Sequence, residues 1–305
     1  MTGVERISVP SPDGRQLAAT VSGPADAPLV VVHHGTPGWG DLLPGWVSSA
    51  ASLGLRLVAV SRPGYAGSTR APGRTVAGAA ADTAAVADAL GADSFLTWGV
   101  SGGGPHALAC AALLPERVRA VAVLAGVAPF EADGLDFLAG MGQDNVDEFG
   151  AARVGEAELR GHLVPQRAAL VAADPARIAA EMASLLPPVD ADVLTGPTGA
   201  AVGAWMVGGL DASVDGWADD DLAFVRPWGF DPASIACPVL LVQGSEDLMV
   251  PPAHVRWLAE RVRVGPAAVE VRELAGEGHI SLLAGIDGVH AWLATAGPAP
   301  GPAAR

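Results

Sequence analysis

The stretch Ser94–Leu113, SFLTWGVSGGGPHALACAAL, decides the fold. Ser94–Val100 is an apolar run with no polar alternation, the pattern of a strand buried on both faces. Gly103–Leu113 reads as a helix, with Pro105 in its first turn, where the missing N–H is no loss. Between them Gly99, Ser101 and Gly103 form the pattern G-x-S-x-G at a strand-to-helix turn, the setting that a nucleophile elbow requires. The physical demand is specific. A serine exposed on so sharp a turn has a strained backbone, and the residues two positions to either side must be nearly without side chains to clear the adjacent chain. The plainer alternative is a glycine-rich turn with an incidental serine. Gly102-x-Gly104-x-x-Ala107 also matches a dinucleotide fingerprint of the form G-x-G-x-x-A. That fingerprint belongs on the first strand–helix unit of its fold, whereas this unit comes later in the chain.

Similar runs lie on both sides. Arg6–Val9 and Gln16–Val21 flank a Ser-Pro-Asp-Gly turn and read as an antiparallel hairpin. Pro28–His34, Leu55–Ser61 and Val118–Ala128 are further buried strands, with a helix over Val76–Leu90. From about Phe130 to Ile235 no strand pattern occurs, and the helical patches Glu156–Ala173 and Pro175–Leu186 are interrupted by Pro and Gly. Alternation resumes with a strand at Pro238–Gln243, a helix at Pro252–Val262, a strand at Ala268–Leu274 and a helix at Ile280–Leu293. The expected class is α/β, a mostly parallel eight-stranded sheet with helices on both faces and an inserted helical cap. The expected division is a core of residues 1–129 and 236–295, a cap of residues 130–235, and a disordered, low-complexity tail of residues 296–305, AGPAPGPAAR. An insertion leaving the carboxyl end of a strand lies over the crevice where such sheets bind ligands, so the cap reads as a lid.

Composition excludes several chemistries. All 18 basic residues are arginine. Without lysine there is no Schiff base to a carbonyl group and no phosphate loop ending in Gly-Lys-Ser/Thr. Half of the 305 residues are apolar, enough for a large core. The net charge of −15 repels nucleic acid and an anionic membrane surface, and no basic run offsets it. Two cysteines, Cys110 and Cys237, are too few for a disulfide framework or a four-thiolate metal site. The N-terminus MTGVERISVP has no basic stretch followed by an apolar one, and the longest apolar run, Ala120–Ala128, is far short of a membrane span. A cytoplasmic protein is the expectation.

A serine hydroxyl needs a base to become a nucleophile. His279, in Glu277-Gly278-His279, follows the last strand and so reaches the same sheet edge as Ser101. His106, His254 and His290 sit on helices, and His162 lies in the insertion. The base needs an acid to hold its tautomer, and Asp247, after the strand Pro238–Gln243, occupies the adjoining loop. Its rivals are Glu246, Glu131 and Asp133. An oxyanion needs two fixed N–H donors. Gly102, directly after Ser101, supplies one, and Thr36, in His34-Gly35-Thr36-Pro37-Gly38, the other; Pro37 has no N–H to give. His34 reads as orienting this loop and His33 as core.

Four ordered motifs at strand ends now stand together: the His34–Gly38 loop with the following Arg62-Pro63-Gly64-Tyr65-Ala66-Gly67-Ser68, the elbow, Asp247 with its Val-Pro, and Gly278-His279. The chain resembles a capped serine hydrolase of the α/β-hydrolase superfamily, similar to small bacterial esterases and to prolyl-aminopeptidase-like hydrolases. The order Ser101, Asp247, His279 matches the order of that superfamily's catalytic triad. Two departures stand out. The superfamily often has an acid where this chain has Ser61. Prolyl aminopeptidases usually carry Gly-Gly-Ser-Trp-Gly at the elbow, where this chain has Gly-Val-Ser-Gly-Gly.

In the insertion, Ala200–Leu210 is apolar on all sides and is expected to be buried. Trp205 and Met206 are candidates to line an acyl pocket, and Trp39 to form one wall. Asp219-Asp220-Asp221 cannot converge on one ion from consecutive helical positions and reads as a solvated N-terminal cap. Trp217 and Trp228 read as anchors of the chain's return. The expected activity is cleavage of an ester-like acyl bond in a small or medium, largely apolar molecule, carboxylesterase-like, through an acyl-enzyme. It requires no metal and no cofactor, and its expected partner is a small-molecule substrate. The alternatives are an aminopeptidase or amidase, a carbon–carbon bond hydrolase on the same triad, and a degenerate hydrolase fold used for binding. Exposed apolar surface would point to a homodimer.

Overall fold

The computed structural model describes residues 3–296. Strands β1 (Val4–Pro10) and β2 (Gln16–Ser22) form the predicted hairpin. They are followed by β3 (Leu29–His33), β4 (Arg56–Val60), β5 (Phe95–Val100), β6 (Val118–Leu124), β7 (Val239–Gly244) and β8 (Val269–Leu274). These eight strands make one sheet in the order β1-β2-β4-β3-β5-β6-β7-β8. From β4 to β8 all neighbours are parallel, and β2 joins β4 antiparallel. β3, β5 and β7 are buried at every position, which is why they carry no polar alternation.

Alternate side chains of the strands feed two cores. Val31, Val58 and Val121 pack with helices α2 (Ala79–Ala89), α3 (Gly103–Leu113) and α10 (Pro252–Arg263). Val30, Leu57 and Ala122 pack with α1 (Pro44–Ser52) and α11 (Ile286–Ala296) on the other face. Ala296 therefore ends a helix, and the rest of the expected disordered tail lies outside the described residues.

Between β6 and β7 the chain is helical: α4 (Gln143–Val154), α5 (Glu156–Val171), α6 (Pro175–Glu181), α7 (Pro188–Thr195), α8 (Gly199–Val207) and α9 (Asp215–Phe224). Only α5 and α6 were legible as helical patches. α8 is not buried all round as expected: Val202 and Trp205 point inward, while Ala200, Ala201 and Ala204 are exposed. Alanine has too little apolar surface for that exposure to cost much. Among the described residues no single helix is long and apolar enough to cross a membrane.

Candidate active site

Ser101 sits on the turn from β5 to α3 with φ +54°, a left-handed conformation that a serine adopts only at a cost of about 1–2 kcal/mol. The turn is pinned by Ser101 N–H donating to Leu124 O (2.8 Å) and Gly104 N–H donating to Ser101 O (2.9 Å). The glycine requirement is steric. A Cβ on Gly99 would lie 2.2 Å from Gly103 O, and one on Gly103 would lie 2.1 Å from His33 O. The backbone of three elements thus crowds around one serine.

Asp247 and His279 leave the carboxyl ends of β7 and β8, two neighbours in a parallel sheet, and so emerge on one edge. Asp247 is buried. Its Oδ1 accepts the N–H groups of Met249 (2.9 Å) and Val250 (2.8 Å), and its Oδ2 accepts from Gln243 Nε2 (3.0 Å). His279 Nδ1 lies 2.8 Å from Asp247 Oδ2. An acceptor at this position fixes the proton of His279 on Nδ1, leaving Nε2 as the basic lone pair. Burial pushes the imidazole pKa down, but the charge and hydrogen bond of Asp247 outweigh it and hold the pKa above the ordinary histidine value. The rival acids Glu246, Glu131 and Asp133 are exposed. His34 does orient its loop: its Nδ1 pairs with Gly35 O (2.8 Å), and its Nε2 accepts the Arg62 N–H (3.1 Å). His106 pairs with Gly102 O (2.7 Å), and His254 is held between Ala128 N–H and Phe137 O. Burial pushes the thiols of Cys110 and Cys237 up to about 12, so neither supplies a thiolate near neutral pH.

Thr36 and Gly102 adjoin each other: a Cβ on Gly102 would lie 2.4 Å from Thr36 Oγ1. Among the described residues neither of their N–H groups donates to a main-chain acceptor. Thr36 is fixed from outside its own loop. Its hydroxyl donates to Asp220 Oδ2 (2.7 Å) and accepts from Arg62 Nη2 (2.9 Å). Arg62 also donates to the carbonyl of His34 and, at 2.9 Å, to that of Gly35.

The reading of Asp219-Asp220-Asp221 as a solvated cap is overturned. All three are buried inside α9. Asp219 pairs with Arg70 (2.8 Å); Asp220 pairs with Arg62 and Arg74 (both 2.6 Å) and accepts from Tyr65 Oη (2.9 Å). Burial raises the Asp220 carboxyl, yet the two guanidiniums hold it well below the ordinary range. The signal was present in the sequence as Arg62, Arg70 and Arg74, a matching set of cations on one loop.

Ser101, His279, Thr36 and Gly102 line one cavity of about 300 Å³, closed on the far side by α4, α5, α6, α8 and α9. Trp205 and Met206 line it as expected. Trp39 does not: it packs against Gly208, with Arg6 stacked over its ring at 4.8 Å. Trp217 lines the cavity and donates its Nε1–H to Glu148 Oε1 (2.8 Å), a wall function beyond the expected anchoring. The cavity also receives two acids that the sequence did not single out, Glu148 and Asp221. Burial raises both, Glu148 to about 7 and Asp221 well above the ordinary carboxyl range, and the charge of Glu148 adds to the rise of Asp221, so the pair holds a proton near neutral pH. Among the described residues no three His, Cys, Asp or Glu side chains converge as a metal site.

The sequence matches the family described as alpha/beta hydrolase fold over residues 28–285. No curated protein sequence matches the chain. A thermophilic esterase from Thermogutta terrifontis superposes with a TM-score of 0.66 at 20% identity, covering 96% of this chain and 100% of that one. Epoxide Hydrolase A from Mycobacterium thermoresistibile superposes with a TM-score of 0.66 at 23% identity, covering 96% and 97%. The naproxen esterase of Bacillus subtilis superposes with a TM-score of 0.65 at 19% identity, covering 95% and 90%. At these identities the likeness is one of fold.

Proposed function

We propose that this chain, which belongs to the alpha/beta hydrolase fold family, is a serine hydrolase that cleaves ester-like acyl bonds through an acyl-enzyme. Ser101 Oγ attacks the carbonyl carbon while His279 Nε2 takes its proton. Asp247 holds the imidazole in the required tautomer and stabilises the imidazolium. The Thr36 and Gly102 N–H groups receive the developing oxyanion. His279 returns the proton to the leaving oxygen, and water repeats the cycle on the acyl-Ser101 ester. The insertion over residues 130–235 acts as the cap that shapes the acyl pocket, with Trp205 and Met206 in its wall. A cytoplasmic location and a small-molecule substrate go with this reading.

The observation that carries it is the His279–Asp247 pair at 2.8 Å facing the cavity into which the left-handed turn presents Ser101. An organophosphate should label Ser101 covalently, and a chromogenic aryl ester should give a burst of one acyl group per site. Folded protein that is neither labelled nor acylated removes the reading.

A second reading keeps the triad and changes the bond. Glu148 and Asp221 face the same cavity, and an acidic pair there complements a substrate ammonium. That favours an amide with a free amine, as an aminopeptidase would take. Turnover of aminoacyl anilides faster than of uncharged aryl esters, lost in Glu148→Gln, would select it; preference for uncharged esters in both proteins would discard it.

A further inference from the structure

Asp190 stands outside every motif considered so far. It lies on α7, in the insertion, and is completely buried. Its carboxylate accepts three consecutive main-chain N–H groups: His279 (2.7 Å), Ile280 (2.9 Å) and Ser281 (2.8 Å). Gly278 explains itself in the same way, since a Cβ there would lie 2.4 Å from Asp190 Oδ2. The three N–H groups open the short helical turn that begins at Ser281. A negative charge at such an N-terminus is favourable, and each N–H bond to a carboxylate is of the strong, charge-assisted kind. The turn takes no side-chain cap from its own N-cap residue, Ile280. Instead the acceptor comes from another element, 89 residues earlier in the chain.

We propose that Asp190 is a positioning residue for the base: the cap supplies the carboxylate that sets the main chain of His279. This rests on the serine hydrolase reading. Holding His279 N at 2.7 Å fixes the Cα from which the imidazole must reach Asp247 on one side and Ser101 on the other. The ionisable groups acting on the imidazole are Asp247, from the loop after β7, and Asp190, from α7. The other carboxyls facing the cavity are Asp144, Glu148, Glu181 and Asp221. The charge of Asp190 adds to that of Asp247 in favouring the imidazolium formed during attack. A competent base therefore depends on the docked position of α7.

The test uses the full chain and three variants: Asp190→Asn, Asp190→Glu and Gly278→Ala. Asn keeps the shape but replaces one acceptor oxygen by a donor; Ala at 278 drives the carboxylate off its amides. Ester hydrolysis by Asp190→Asn and Gly278→Ala should lose about 10²-fold in kcat with KM nearly unchanged. The acid limb of the kcat/KM profile should move about one unit to lower pH. Asp190→Glu, which restores the charge and an acceptor, should recover part of the rate and the original limb. In the unaltered protein the amides of His279, Ile280 and Ser281 should be strongly protected from hydrogen exchange. A wild-type limb and kcat in Asp190→Asn, with Tm alone lowered, reduces the residue to a structural cap and overturns the proposal. Fast exchange of the three amides in the unaltered protein does so as well, even where no variant folds. If the unaltered protein is not labelled by organophosphate, the serine hydrolase reading itself fails. If it is labelled and Asp190→Asn behaves normally, only the role of Asp190 fails.

Discussion

In the proposed reaction Thr36 carries one of the two oxyanion donors, and what holds it is a buried ion pair whose two halves lie 158 residues apart in the chain. Arg62 follows β4, Asp220 sits on α9, and neither is appreciably exposed. Replacing Arg62 by Met leaves the Asp220 carboxylate with Arg74 (2.6 Å) and Tyr65 Oη (2.9 Å), so its charge is only partly uncompensated. Breaking a buried pair costs about 3–5 kcal/mol, and the remaining partners put Arg62→Met near ~3 kcal/mol. Asp220→Asn is worse, near ~5 kcal/mol, because Arg62 and Arg74 are then two buried cations with no anion between them. The double variant removes one cation with the anion, so the two effects should fall short of additive by about 2 kcal/mol. At about 2 °C per kcal/mol for a chain of this size, the single variants should melt roughly 6–10 °C lower. Urea and thermal unfolding of the four proteins measure the cycle. Arg62→Met also frees the His34 and Gly35 carbonyls, and each single variant removes one of the two partners of the Thr36 hydroxyl, so ester turnover at a temperature where all are folded should drop about tenfold or more. Strictly additive free energies, or single variants with unaltered turnover, would refute the claim that this pair supports the oxyanion loop.

Three further outcomes are expected. Glu148 and Asp221 hold protons in the folded protein that the unfolded chain has already released, so their contribution to stability falls as pH climbs from the ordinary carboxyl range through their raised values. Glu148→Gln keeps the acceptor for Trp217 and donates to Asp221 at every pH; calorimetry should therefore show a larger gain in Tm at about pH 8 than at about pH 5, and an equal gain at both would contradict the shared proton. Gly103→Ala would set a methyl 2.1 Å from His33 O and 2.6 Å from His34 O, both main chain; the variant should lose at least about 3 kcal/mol or fail to fold, and a normal melting curve would be inconsistent with the packed elbow. Asp247→Asn should lower kcat about 10³–10⁴-fold while organophosphate still reaches Ser101 slowly. Because burial depresses the His279 pKa and Asp247 supplies most of what offsets it, with Asp190 adding less, the acid limb of the variant should shift to lower pH; an unshifted limb would mean that another group titrates there.

The elbow and the proposed triad were legible because their requirements are local or topological. Gly99, Ser101 and Gly103 are spaced by the geometry of one turn, and the collision that a Gly99 side chain would have with Gly103 O, within that turn, is written directly into residue type. Asp247 and His279 lie far apart in the chain, but each follows a strand, and parallel neighbours in a sheet deliver their following loops to the same edge. Order along the chain therefore sufficed to bring them together with Ser101. The cavity wall was legible only in part: Trp205 and Met206 were found, Trp39 was misplaced, and Glu148 was passed over on a helix with no clear apolar face.

What the chain's order of residues determined by itself was the sheet, the strained serine and the loops that meet beside it, since chirality, missing side chains and strand direction act over short distances. Whether a charge is solvated or buried depends instead on which partner arrives from elsewhere. Asp219 and Asp220 look like a wet helix start until Arg62, Arg70 and Arg74 are seen to close on them, and Asp190 looks like any acid in a helix until the amides of His279, Ile280 and Ser281 are found on it. The free energy of burying an ion is decided by those distant donors, and only the tertiary structure brings them within reach.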